Sequence, residues 1–210
     1  GFVRNSFGDA IQKLQRQALD GVVRHVAAPA LQKRAEGFVD VFEPRLPRNS
    51  DILDIGGGWG FYHEPLIRRG HRHAVLDVVK PGFQKAPVVV YDGARIPFPD
   101  KNFDVSLFVT VLHHVWDPDA LIAEAKRVTR STVVVVEDLF HHAAGRWWTV
   151  LRDKLYNFEF VGHAARFRRK DEWIEVFGRQ GLNLIDSKEL YTWLAGMRIL
   201  NGVMVFSVEA

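Results

Sequence analysis

Asp51-Ile-Leu-Asp-Ile-Gly-Gly-Gly-Trp-Gly60 is the stretch on which the reading of this chain turns. Ile52, Leu53 and Ile55 make a short apolar run that fits a buried parallel strand. Glycines then fill positions 56, 57, 58 and 60. Glycine at the carboxyl end of a strand permits a tight turn and lets a ligand approach bare backbone. Residues 61–70 read as a helix, with Phe61, Leu66 and Ile67 on its apolar side and Gly70 as its stop. Strand, glycine loop and helix N-terminus in succession form the geometry in which open α/β sheets hold nucleotide-like ligands.

The glycine spacing discriminates among such loops. A dinucleotide loop reads G-x-G-x-x-G. Counted from Gly56 its third glycine falls on Phe61, and counted from Gly58 it falls on His63. A P-loop needs a Lys-Ser or Lys-Thr pair, and the chain contains neither. The frame that survives is D-x-G-x-G-x-G, from Asp54 through Gly56 and Gly58 to Gly60, with Gly57 inside it. This frame resembles motif I of the class I S-adenosylmethionine (SAM) dependent methyltransferases, of the small-molecule type. The resemblance implies SAM as cofactor, with Asp54, Gly56, Gly57, Gly58 and Gly60 around it. The chemistry is compatible. A sulfonium ligand carries positive charge and no pyrophosphate, so a carboxylate such as Asp54 is welcome beside it.

Further stretches extend the likeness. A second strand is expected over residues 74–78, and Asp77 at its end suits two hydrogen bonds from ribose hydroxyls, with Val78 beside it. Dinucleotide enzymes also place an acid there, so Asp77 alone does not discriminate. Residues 80–86 show no helical pattern, so the usual crossover helix is expected to be reduced or absent. After a third strand over 88–91 comes Asp92-Gly93 and then the turn Pro97-Phe-Pro-Asp-Lys-Asn-Phe-Asp104. It is similar to the family's adenine-binding segment, which implies that Asp92 accepts from the adenine amino group and the Gly93 N–H donates to the ring. A carboxylate beside a backbone N–H does complement adenine's donor and acceptor. A fourth strand over 105–110 leads into Val111-Leu-His-His-Val-Trp-Asp117. By the same likeness, Val109 and Thr110 meet the amino end of the cofactor and His114 lies near its methionine arm. His113 or His114 is a candidate catalytic base. Neighbouring side chains diverge on most backbones and no third ligand is evident, so no metal is expected.

Size and composition bound the rest. The 210 residues, 47% of them hydrophobic, suffice for one domain with a large core. Cysteine is absent, which removes disulfides, thiolate catalysis and cysteine zinc sites. No apolar run approaches ~18 residues, so no membrane span is expected, and a cytoplasmic protein is the expectation. Twenty-eight basic against 25 acidic residues give a net charge of +3, too balanced to indicate nucleic acid. Two helices are expected within residues 7–45, the second starting near Pro29, and they either cover the cofactor mouth or only pack on the sheet. Asp117 or Pro118 starts a helix, and a β-branched fifth strand, 132–136, ends in Glu137-Asp138. Residues 140–169 form an aromatic and basic insertion, read as a substrate cap, whose run of Arg166, Arg168, Arg169 and Lys170 is more simply a solvated helix approach than an anion site. A helix over 171–180 and two strands near 182–191 and 200–208 close the chain, with Asn201-Gly202 as a turn or bulge.

The expected fold is a Rossmann-like α/β sandwich, a seven-stranded mostly parallel sheet in the order 3-2-1-4-5-7-6 with an antiparallel C-terminal strand. The expected function is methyl transfer from SAM to a small-molecule acceptor. The chain lacks an Asn-Pro-Pro-aromatic tetrad after the fourth strand, where nucleic-acid amino methyltransferases of the class tend to carry it. An RNA methyltransferase and a SAM-binding, non-catalytic partner subunit are the alternatives.

Overall fold

The computed structural model describes residues 18–157 and 166–208. The start of the expected first helix, and Phe158 and Phe160 of the expected cap, lie outside the described residues. Seven strands form one sheet in the order β3-β2-β1-β4-β5-β7-β6. They are β1 (Asp51–Ile55), β2 (Arg72–Asp77), β3 (Val88–Val90), β4 (Phe103–Val109), β5 (Thr129–Asp138), β6 (Leu182–Leu194) and β7 (Met197–Val208). β1 to β5 pair in parallel, whereas β7 runs antiparallel between β5 and β6. Strand order and direction match the sequence expectation. The order reverses between β1 and β4, and open sheets bind ligands at such a switch point.

Both faces of the sheet are covered, so its central strands are apolar on both sides. Leu53, Ile55, Phe108, Val133, Val135, Met204 and Phe206 face α3 (Pro118–Val128) and α5 (Lys170–Arg179), where Ile122, Trp173 and Phe177 are fully buried. Ile52, Val105, Leu107, Val134, Val136 and Val205 face α1 (Ala28–Phe42) and α2 (His63–Arg68) through Phe38, Phe42 and Leu66. The remaining helix, α4 (Ala143–Asn157), begins the insertion after β5.

Several expectations need correction. The N-terminal segment is one helical run from residue 18, passing through a π turn at Val23–Ala27 straight into α1. Pro29 stands in the first turn of α1, as expected, directly after the π turn in which Ala28 N–H donates to Val23 O. α2 is shorter than 61–70, because residues 61 and 62 still belong to the glycine loop's turns. Asn201 and Gly202 lie inside β7, paired with Asp138 and Glu137. The turn sits at Ala195 and Gly196, with φ of 45° and 78°. Two successive positive φ values are what a two-residue hairpin loop needs to match strand twist. The irregularity in this hairpin falls between Leu184 and Asp186 of β6. The connection from β2 to β3 carries no helix, as residues 80–86 implied.

Candidate active site at the carboxyl ends of the strands

The first half of the site begins at the loop after β1. Gly58 has φ of 50°, a conformation costly for other residues, and its N–H donates to Asp77 Oδ2 at 3.0 Å. Val79 N–H donates to the other Asp77 oxygen at 3.1 Å. Asp77 therefore locks the loop to the tip of β2 while lone pairs remain for a ligand. Burial is the largest influence on its carboxyl and raises its pKa, although the backbone N–H groups pull the other way. At the tip of β3, Asp92 Oδ1 accepts from Ala94 N–H at 2.9 Å, and such backbone bonds lower its pKa. Gly93 lies against β2: a Cβ there would stand 3.2 Å from Val78 Cγ1. Beyond β4, Thr110 adopts φ of 48° and donates its N–H to Val136 O at 2.7 Å. Val111 then sits directly over Gly56, whose missing Cβ would lie 2.3 Å from Val111 Cγ2. The glycine loop, Asp77, Val78, Gly93 and Thr110 thus gather around the ends of β1 to β4.

Asp54 does not join them. Strand alternation puts it on the Ile52 side of β1, and it is fully buried beneath the loop. A Cβ on Gly57 would be 2.4 Å from Asp54 Oδ2, so this glycine is the lid over that carboxylate. The nearest opposite partner is His73 Nε2 at 3.5 Å, near enough for attraction and too long for a good hydrogen bond. The Asp54 carboxylate therefore lies beneath the loop backbone, with Gly57 directly over it.

The half around β4 and β5 is made of side chains. The 3₁₀ turn Leu112–His114 brings the rings of His113 and His114 to 4.1 Å, contrary to the expected divergence. His113 is buried, stacked on Phe167 at 4.2 Å, and its Nδ1 lies 2.5 Å from Glu137 Oε2. Asp153 Oδ1, from α4, lies 3.5 Å from His113 Nε2 and 4.0 Å from His114 Nε2. Burial alone would lower the His113 pKa, but the charges and hydrogen bonds of Glu137 and Asp153 outweigh it and hold it up at about 10. A ring that keeps both protons at neutral pH has no lone pair for general-base work.

Three features of the site were missed in the sequence. Glu137 accepts from Val111 N–H at 3.1 Å and Leu112 N–H at 2.7 Å, shaping the loop that carries both histidines. Asp138 gathers Arg34 of α1, Arg152 of α4 and Asn201 of β7 into a buried network. Asp20, just inside the described residues, bonds Trp59 Nε1 and Gly82 N–H, each at 2.7 Å. The N-terminal helical run therefore packs on the sheet and, through Asp20, ties Trp59 of the glycine loop to Gly82 of the β2–β3 connection. An acidic pair closing an all-valine run was the one available signal, for Glu137 and Asp138. Asp20 and the arginines carried none.

Residues 53–137 match the family model described as a methyltransferase domain. A tRNA (carboxymethyluridine(34)-5-O)-methyltransferase of Schizosaccharomyces pombe is 30% identical over 104 residues, 49% of this chain and 46% of that protein. A demethylmenaquinone methyltransferase of Renibacterium salmoninarum is 30% identical over 112 residues, 50% of this chain and 47% of that protein. The chain thus spans about half the length of these curated relatives. Among solved structures, the Burkholderia thailandensis 1,6-didemethyltoxoflavin-N1-methyltransferase superposes with a TM-score of 0.63 at 17% identity, covering 100% of this chain and 93% of that one, a likeness of fold. Motif and sheet order agree with the matched segment: residues 53–137 match a methyltransferase domain, and the fold is that of the class I SAM-dependent methyltransferases, whose cofactor is SAM.

Proposed function

We propose that the protein transfers a methyl group from SAM to a nucleophilic atom of a small-molecule acceptor. The observation that carries this reading is the glycine loop pinned by Asp77 at the switch point, opposite Gly93 and Thr110. In this reading Asp77 accepts from the ribose hydroxyls. Asp92 and the Gly93 N–H hold adenine against Val78. Gly56, Gly57, Gly58 and Gly60 let the backbone approach, and Val109 and Thr110 meet the amino end. Transfer is an in-line displacement on an already activated methyl group, so alignment supplies most of the acceleration. Positioning of this kind contributes up to ~7–11 kcal/mol. His113 stands on the acceptor side, where it orients and holds charge rather than abstracts a proton, and His114 beside it is the remaining candidate base. The aromatic insertion after β5 is the cap, with Trp147 and Trp148 on its first helix. We take sheet, helices and cap as one domain, and the chain as cytoplasmic. Among the described residues no helix is long and apolar enough to cross a membrane.

The Schizosaccharomyces pombe relative favours a second reading, an RNA acceptor. The basic run argues against it. Arg168 stacks over Trp173 at 4.7 Å, the Arg169 guanidinium donates to Asp171 Oδ1 at 3.2 Å, and Lys170 pairs with Glu189 at 2.9 Å. These cations already have local partners. The deciding experiment is calorimetry with SAM and S-adenosylhomocysteine, followed by mass spectrometry of a small-molecule acceptor panel and of transfer RNA. We expect tight cofactor binding and methylation within the panel. Steeply salt-dependent RNA binding with RNA methylation would move the assignment to the second reading. Failure to bind either cofactor form at millimolar concentration would remove both, and binding without turnover on any acceptor would leave a non-catalytic subunit.

A further inference from the structure

His113, His114 and Asp153 come from segments that sequence alone does not connect, the turn after β4 and the middle of the insertion's first helix. One ligand atom from each lies within 4.8 Å of the others. His113 is oriented from two sides. Glu137 occupies its Nδ1 and Phe167 fixes its ring plane, so Nε2 faces Asp153 and His114. Glu137 is held in turn by the N–H groups of Val111 and Leu112. A carboxylate behind one imidazole nitrogen, with the other turned toward further ligands, is the arrangement that orients histidine on a metal ion.

We propose that His113 Nε2, His114 Nε2 and Asp153 form a binding site for a divalent transition-metal ion, with Glu137 as the positioning carboxylate behind it. Two imidazoles and one carboxylate suit ions of the zinc, iron and cobalt kind. Magnesium and calcium prefer all-oxygen sites. Ligands ~2.1 Å from one ion sit ~3.0–3.4 Å apart, so the 3.5 and 4.0 Å separations close with small side-chain shifts. His113 and Asp153 are buried, whereas the His114 side chain is 28% exposed. The ion's open positions therefore face the His114 side, where the proposed function puts the acceptor. An ion there would act as a Lewis acid on an acceptor oxygen or nitrogen. That catalytic consequence rests on the methyl-transfer reading, but the binding claim does not.

Calorimetric titration of chelator-treated full-length protein with Zn²⁺ tests this directly. Visible absorption on adding Co²⁺ reports whether the ligands surround one ion. We expect saturable binding of one ion per chain, a Co²⁺ ligand-field band, and loss of both in His114→Ala and Asp153→Asn. Glu137→Gln should weaken Zn²⁺ binding by about 10–100-fold, since it loosens His113 without removing a ligand. S-adenosylhomocysteine affinity and circular dichroism, measured in parallel, show whether each variant is folded. Absence of one-to-one uptake in protein that still binds S-adenosylhomocysteine overturns the metal site and leaves the proposed function standing. So does uptake that survives both ligand replacements in folded variants. Metal uptake without any S-adenosylhomocysteine binding would do the opposite. If both ligand variants unfold, Glu137→Gln decides: unchanged Zn²⁺ affinity in that variant refutes the arrangement.

Discussion

The two halves of the cleft are built by different means. Around β1, β2 and β3 the acids are met chiefly by backbone N–H donors, as with Asp77 and Gly58 or Val79, and Asp92 and Ala94. Around β4 and β5 they are side chains joined across long stretches: His113 to Glu137, and Asp138 to Arg34, Arg152 and Asn201. A backbone cradle suits a ligand of fixed chemistry, whereas a lattice of side chains can be rebuilt without disturbing the sheet. Under the proposed function, the contrast matches an invariant cofactor on one side and a variable acceptor on the other.

The most severe way to break the comparison is Asp138→Ala. It leaves two guanidinium groups in a buried network without their shared carboxylate, and removing one partner of a buried ion pair costs about 3–5 kcal/mol. Chemical denaturation should show that loss, and an unchanged midpoint would mean the arginines find water instead. The corresponding break in the cofactor half is Asp77→Ala. It should weaken S-adenosylhomocysteine binding by about 1.5–3 kcal/mol with the fold kept, because hydrogen bonds to a charged group are lost. Unaltered affinity would refute the ribose assignment.

Acidity sharpens the same boundary more gently. Ligand hydroxyls favour the ionised Asp77, whose pKa burial raises. Affinity for S-adenosylhomocysteine should therefore fall on acidification from a pH above the ordinary aspartate value of about 3.9. Its contribution to the stability of the free protein has the opposite sign: the folded state binds its proton more readily, so that contribution grows as pH falls. Asp77→Asn should flatten the acidic limb of the affinity profile, and a limb that persists would belong to another group. The smallest effect is expected at the cap. Trp147 and Trp148 are exposed, so replacing either by Ala should change stability by no more than about 0.5 kcal/mol. Acceptor KM should shift while cofactor affinity stays constant, and the reverse pattern would argue against a cap.

The same division explains what was legible. Asp51 to Gly60 announces strand, loop and helix because each step is a local propensity, and strand order followed from the family likeness. Asp54 shares a strand face with Ile52, which is why it is buried beneath the loop. Gly202 looked like a turn residue, yet it sits in a strand beside Glu137, and the turn fell to Ala195 and Gly196. Asp153 stayed hidden because only the packing of the insertion brings it to the two histidines.

β7 lies between β5 and β6, although β6 precedes it in the chain. During synthesis, the neighbour that β5 needs leaves the ribosome after the strand that ends up at the margin. Until Asn201 emerges, Asp138 waits without one of its donors, while the nucleoside cradle upstream already has every strand it uses. A nascent chain of this protein would therefore acquire its grip on the cofactor before the far wall of its cleft is in place.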